Sequence, residues 1–241
     1  MIEAIRIILV DTSHAGNIGA SARAMKNMGL STLVLVRPKA HPVPEAAARA
    51  GGAAGLLREA RVEPSIDAAI AGCGLIFGTS ARPRSANWRV LDPRTAATEL
   101  QAASASRPAA VLFGGERNGL SNDELACCHA LIRIPASPEY ESLNLAQAVQ
   151  IVCYEIMMAG RGPAGGRAPA ARPASTEAMA ALQRHFDRVL ETAGFMHRRN
   201  SLQLRTRLQR LLARAVPDEK EVRILRGMLA AIERSWAEPR Q

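Results

Sequence analysis

The feature that most constrains this chain is an alternation. Short runs of β-branched and apolar residues recur along its first two-thirds, at IRIILV (5–10), TLVLV (32–36), LIFGT (75–79), AAVLF (109–113) and LIRI (131–134), with helical patterns between them. Runs that are apolar at nearly every residue belong to strands covered on both faces. That requires α/β architecture, a mostly parallel sheet with helices on either side. The helices are punctuated. One runs from near Ile18 through ASARAMKNM to Gly29, a residue suited to a helix C-terminus, and IDAAIAG closes at Gly72. DPRTAATELQAA starts behind an Asp92 cap with Pro93 in its first turn, and Ser121 with Glu124 forms an S-x-x-E capping box. NLAQAVQIVCYEIMMA is apolar almost all round, which predicts a helix that is buried or at an interface. These elements define one domain over residues 1–159.

Residues 160–175, GRGPAGGRAPAARPAS, fit no regular element and read as a flexible linker. Three helical patterns follow over residues 176–241. The first runs from about Thr176 to Ala193 behind a Ser175 cap, the second from about Ser201 to Ala215, and the third from Asp218 to near Trp236. On the second, Leu204, Leu208, Leu211 and Ala215 make an apolar stripe beside a basic one, Arg207, Arg210 and Arg214. A basic stripe is either a solvated face or a polyanion contact.

Charge favours the second reading. The chain has 31 basic and 22 acidic residues, net +9, and residues 161–241 hold 16 of the basic against 8 of the acidic ones. Nearly all the excess therefore lies in the last third, the expected nucleic-acid contact. All but three of the basic residues are Arg, whose planar fork pairs with phosphate at two points. Aromatic residues are only 3%, so an RNA bound here meets few stacking platforms and is held by shape, phosphates and Arg.

Several classes are excluded. No run of about 18 apolar residues exists to span a membrane, and MIEAIRIILVDTS, with Glu3 near its start, reads as a first strand rather than an export signal. Cys73, Cys127, Cys128 and Cys153 form no C-x-x-C pair and no H-E-x-x-H is present, so no metal site is expected. The thiols read as reduced core fillers of a cytoplasmic protein. His41, His129, His185 and His197 belong to no constellation and are expected at the surface, while His14 lies in a candidate loop. A P-loop and a G-x-S-x-G elbow are absent, and the first strand leads into G-N-I-G-A-S-A-R rather than a dinucleotide fingerprint. Four strand ends are nevertheless rich in Gly and small polar residues, at 11–23, 78–85, 113–121 and 134–146. In an open α/β sheet several such ends together point to a cofactor site that the backbone must approach closely.

The loops NIGASAR (17–23) and GGERNGL (114–120) and the segment from Ile134 through SLNLA to Ala146 resemble, in order and spacing, the three motifs of the SpoU branch of the SPOUT methyltransferases. VDTSHAGNIGASARAMKNMG, GTSAR, PEYESLNLAQAVQ and the C-terminal RLQRLLARAVPDEKEVRILRGML extend the likeness over most of the chain outside the linker. The resemblance implies an α/β domain with a C-terminal trefoil knot and a homodimer with its active site at the subunit interface. It further implies methyl transfer from S-adenosyl-L-methionine to the ribose 2′-hydroxyl of a cytidine or uridine at position 32 of the tRNA anticodon loop. It makes Arg23 the catalytic arginine, with Asn17 and Gly19 shaping its loop and Glu116 in the second motif. It assigns the cofactor to Thr79, Ser80, Ala81, Gly114, Gly115, Ile134, Glu141, Ser142 and Leu143, with Asn144 completing the S-L-N signature. Gly115 departs from the family pattern, which has a larger basic residue there, and Glu141 departs from a Ser. Glu116 has a second reading, as a cap or an ion-pair partner of Arg117. The residues alone leave open a non-catalytic RNA-binding protein on the same scaffold and a methyltransferase acting on another tRNA or rRNA position.

Overall fold

A computed structural model describes residues 4–39, 44–82, 88–161, 173–197 and 201–237. The first part runs β1 (Ile5–Val10), α1 (Ala15–Asn27), β2 (Leu33–Val36), α2 (Pro44–Ala50), a 3₁₀ turn (Gly51–Ala53), α3 (Ala54–Arg58), β3 (Arg61–Glu63), α4 (Ile66–Ile70) and β4 (Leu75–Thr79). It continues with β5 (Val90–Leu91), α5 (Pro93–Ser104), β6 (Ala109–Phe113), α6 (Asn122–Leu125), β7 (Ala130–Ile132) and α7 (Leu145–Arg161). The seven strands form one sheet in the order β3-β2-β1-β6-β4-β7-β5, and every pairing is parallel.

Strand periodicity explains why the central runs are apolar at nearly every residue. On β1, Ile5, Ile7 and Leu9 enter the core beneath α1, α5 and α7, while Ile8 and Val10 enter a second core with α4, Leu125 and Cys128. The signals for α5 and α6 are realised bond for bond. Asp92 accepts from the Arg94 and Thr95 amides, and the Ser121–Glu124 box is closed in both directions. Gly29 and Gly72 have φ of +77°, the left-handed turn that ends α1 and follows α4. Cys73, Cys128 and Cys153 are buried as expected, whereas Cys127 is only half-buried.

The C-terminal part consists of α8 (Thr176–Thr192), α9 (Ser201–Ala215) and α10 (Glu219–Ala237) around Leu182, Val189, Leu212, Val222 and Leu229. It is fastened to the sheet domain by polar contacts. The Gly72 amide donates to Thr176 Oγ1 (3.0 Å) and Glu177 Oε1 (2.9 Å), and Arg107 pairs with Glu219 at 2.7 Å. No helix among the described residues is long and apolar enough to cross a membrane.

The structure corrects the sequence reading in several places. Residues 44–63 hold α2, the 3₁₀ turn, α3 and β3, an Ala-rich stretch whose weak apolar pattern marks no element boundary. The strand spans 130–132 rather than 131–134: the Arg133 amide still donates to the Leu91 carbonyl of β5 at 2.9 Å, but Ile134 leaves the sheet and enters the site. On α9 the core face is Leu212 and Ala213, whereas Leu211 and Ala215 are exposed. A three-helix cluster needs only a narrow stripe, and the choice between adjacent leucines depends on how α9 is rolled. His129 and His185 are buried rather than at the surface. The His129 ring accepts from the Ile76 amide at 3.0 Å, and burial pushes its pKa down to about 4, so it is a neutral core group. His185 meets Glu233 at 3.2 Å. Of the stretch 160–175, α7 takes the first two residues. Pro173 bridges Asp218, Ala174 is buried and Ser175 caps α8, while 162–172 lie outside the described residues.

Candidate active site

The loops after β4, β6 and β7 leave the carboxyl edge of the sheet side by side. Thr79, Ser80 and Ala81, then Gly114 and Gly115, then Ile134, Glu141, Ser142 and Leu143 line one open cleft of about 830 Å³ including its mouth. Segments as much as 64 residues apart in sequence are thus brought to one place by the parallel order of three neighbouring strands. Every residue expected to hold the cofactor lies in this lining except Asn144. Phe113, Leu120, Leu145 and Ala148 add apolar wall, and Arg82 and Asn118 add polar groups. All six lie within the motifs and strand ends that the sequence marks, but spacing alone does not say which members of a motif turn into the cleft.

Glycine makes the middle loop possible. Gly115 and Gly119 bridge each other, the Gly119 amide donating to the Gly115 carbonyl at 2.9 Å, and Gly119 has φ of +62°. A Cβ at Gly114 would collide with the backbone of Gly119 and Leu120, so this glycine is demanded by the loop's own folding. A Cβ at Gly115 would sit 2.9 Å from the Asp11 carbonyl. The departure to Gly at 115 lets the loop lie hard against the end of β1. The other departure, Glu141, is held by Arg133 at 2.7 Å.

A hydrogen-bonded chain joins the three motifs. Glu116 Oε2 accepts from the Ser13 amide (3.0 Å) and hydroxyl (2.9 Å). Its Oε1 accepts from the His14 amide (3.2 Å) and from Asn17 Nδ2 (2.9 Å). Helix α1 has no side-chain cap of its own, so the carboxylate of a distant loop caps it, where the helix dipole also favours negative charge. Burial alone would push the Glu116 carboxyl up, but donation by Asn17 and Ser13 outweighs it and holds the pKa at about 2. On the other side, Asn144 Nδ2 donates to Asn17 Oδ1 at 3.0 Å, and Asn144 Oδ1 accepts from the Ala146 amide at the start of α7.

Arg23 stands apart. It is exposed on α1, has no hydrogen bond or ion pair with a described residue, and does not line the cleft of its own chain. The basic stripe of α9 is also divided. Arg207 and Arg214 are exposed, whereas Arg210 is half-buried over the Trp88 ring, 5.4 Å from its centroid.

Comparison with known proteins gives the class first. Residues 4–154 match the model of the SpoU rRNA methylase family, and the chain belongs to that family. Within it, residues 177–241 match the model of the C-terminal domain of the tRNA methyltransferase TrmJ. The chain is 44% identical over 240 residues to the tRNA (cytidine/uridine-2′-O-)-methyltransferase TrmJ of Cronobacter sakazakii, covering 98% of each chain. It is 42% identical to TrmJ of Yersinia pestis, covering all of this chain and 96% of the other. The crystal structure of TrmJ from Z. mobilis ZM4 superposes with a TM-score of 0.83 at 35% identity, over 95% of this chain and 98% of that one.

Proposed function

We propose that this protein transfers a methyl group from S-adenosyl-L-methionine to the ribose 2′-hydroxyl of a cytidine or uridine at position 32 of the tRNA anticodon loop. The observation that carries the reading is the junction of the three motifs, with Asn17 bonded to both Glu116 and Asn144 beside the cleft. The likeness to TrmJ along the whole chain supports the tRNA substrate, and the resemblance of the motifs supports position 32.

The cleft fits the cofactor. Apolar wall from Ile134, Leu143, Leu145 and Ala148 suits an adenine ring, and Thr79, Ser80, Asn118, Glu141 and Ser142 offer polar partners for ribose, amine and carboxylate. Bound there, the cofactor supplies an activated methyl group on a sulfonium, which leaves the protein to position the ribose and manage one proton. Glu116 is a poor base: the Asn17 and Ser13 donors hold its pKa at about 2, and its oxygens already accept from Ser13, His14 and Asn17 at the start of α1. It is a positioning residue. Arg23 is the donor that orients the ribose or its phosphate and stabilises the developing alkoxide.

Arg23 does not line its own cleft, so it meets the cofactor of a second copy, and the enzyme works as a homodimer with its active site at the subunit interface. Residues 1–159 form the catalytic unit, 160–175 the linker and 176–241 the tRNA-capturing unit, in a cytoplasmic protein. Arg207 and Arg214 contact tRNA directly, with Arg210 beside them. Calorimetric titration with S-adenosyl-L-methionine, followed by methyl transfer to tRNA, tests the reading. RNA binding without cofactor binding would replace it with a non-catalytic RNA-binding protein.

A further inference from the structure

A second hollow lies on the far side of the 115–120 loop, sharing that loop as a wall with the cofactor cleft. Its other walls come from the end of β1 (Asp11, Ser13, His14), from Lys39 after β2, and from Ser121 and Glu124. The charges in it are sorted. Every carboxylate is already engaged: Asp11 and Glu124 by Arg37, at 2.9 and 2.8 Å, and Glu116 by Ser13, His14 and Asn17. The basic side chains are not. Arg117 and Lys39 are exposed, with the His14 ring beside them, and none of the three has a side-chain partner among the described residues. Asp11 and Arg37 also hold φ of +52° and +47°, a left-handed backbone that non-glycine residues rarely adopt. Strain of this kind persists where the surrounding structure fixes it, often beside a site. Arg37 is turned onto the two acids, and the basic side of the hollow is left to Arg117 and Lys39.

We propose that this hollow is a phosphate subsite that holds a phosphodiester adjacent to the target nucleotide of a single-stranded RNA loop, through Arg117 and Lys39, with His14 at its edge. The inference rests on the methyltransferase reading above. A strand crossing the 115–120 loop would place a ribose over the cofactor cleft and its neighbouring phosphate in the hollow, because one loop separates the two. Arg117 borders both and presents a fork that matches phosphate at two points, while Lys39 acts as a point charge. This gives the nearly neutral sheet domain a local handle on RNA, distinct from the basic helices.

The test uses the full-length protein and a synthetic anticodon stem-loop in which each linkage flanking the target nucleotide is replaced, one at a time, by a neutral methylphosphonate. One neutral linkage should weaken binding to the wild type by about tenfold, the scale of one charge-assisted hydrogen bond. The same linkage should cost the Arg117→Gln variant clearly less, because only Lys39 is left to pair with the phosphate. Lys39→Gln should lower the slope of log Kd against log salt by about 0.7. Additive losses for Arg117→Gln and every neutral linkage would overturn the subsite. So would an Arg117→Gln loss matched by the same factor in S-adenosyl-L-methionine affinity, which would confine Arg117 to the cofactor cleft. The two readings fail separately. A stem-loop that binds with this pattern but receives no methyl group removes the proposed activity and keeps the subsite; one that is methylated with additive losses does the reverse.

Discussion

The side-chain amide of Asn17 donates to the Glu116 carboxylate at 2.9 Å and thereby pins the first turn of α1 to the loop after β6, across 99 residues of sequence. Together they fix the helix that carries Arg23 relative to the loop that walls the cleft.

Glu116 should make stability depend on acid. Its pKa is lowered from 4.5 to about 2 in the folded protein, so its contribution is full above pH 4.5 and is lost as pH falls toward 2. Urea midpoints measured from pH 6 to pH 2.5 should fall, and Glu116→Gln should flatten that fall while costing about 2 kcal/mol at pH 7. An unchanged pH profile in the variant would mean that the carboxylate does not clamp α1.

Asn17 and Asn144 should behave as a coupled pair. In a double-mutant cycle with alanine, the interaction energy in stability should be about 1 kcal/mol, because Asn144 Nδ2 donates to Asn17 Oδ1. Turnover should fall in both single variants. Strict additivity would show that this hydrogen bond does not hold the first and third motifs together.

Much of the fold is legible in the sequence, for identifiable reasons. β1, β2, β4 and β6 declare themselves because a strand buried on both faces is apolar at nearly every residue. The capping box at Ser121 is local, so spacing alone exposes it. The strand-end loops that line the cleft stand out because glycine and small polar residues leave a pattern there. What stays hidden is long-range. Nothing near Glu116 in sequence tells that its oxygens cap a helix 99 residues away, nor that Arg210 leaves the basic stripe for Trp88. β5 is a two-residue strand, too short for periodicity, and buried His129 is fixed by a backbone amide that only the fold supplies.

Gly114→Ala should disrupt cofactor binding through the loop rather than by touching the ligand. A Cβ there meets the Gly119 and Leu120 backbone, which cannot swing aside as a side-chain tip would. Calorimetry should show cofactor affinity lowered by at least about tenfold, the effect of about 1.4 kcal/mol of loop distortion. Normal affinity would show that the 114–120 loop can reshape at no cost.

The three arginines of α9 should separate. Gln at 207 and 214 together should weaken tRNA binding and lower its salt slope by about 0.7–0.9 for each phosphate no longer neutralised. Arg210→Gln should instead reduce stability by about 0.5–1 kcal/mol, by removing a cation from the Trp88 face. Equal effects of all three on the salt slope would place Arg210 on the RNA as well.

The central claim is tested most directly by the rate at which purified protein moves an isotope-labelled methyl group from S-adenosyl-L-methionine to tRNA, read by mass spectrometry of the nucleosides, for wild type and Arg23→Ala. The account predicts labelled 2′-O-methylcytidine or 2′-O-methyluridine from the anticodon loop. It predicts a rate at least about a hundredfold lower in Arg23→Ala, the scale of removing one donor to a developing oxyanion, at unchanged cofactor affinity. Absence of label on any ribose, or a near wild-type rate without the Arg23 guanidinium, would contradict it.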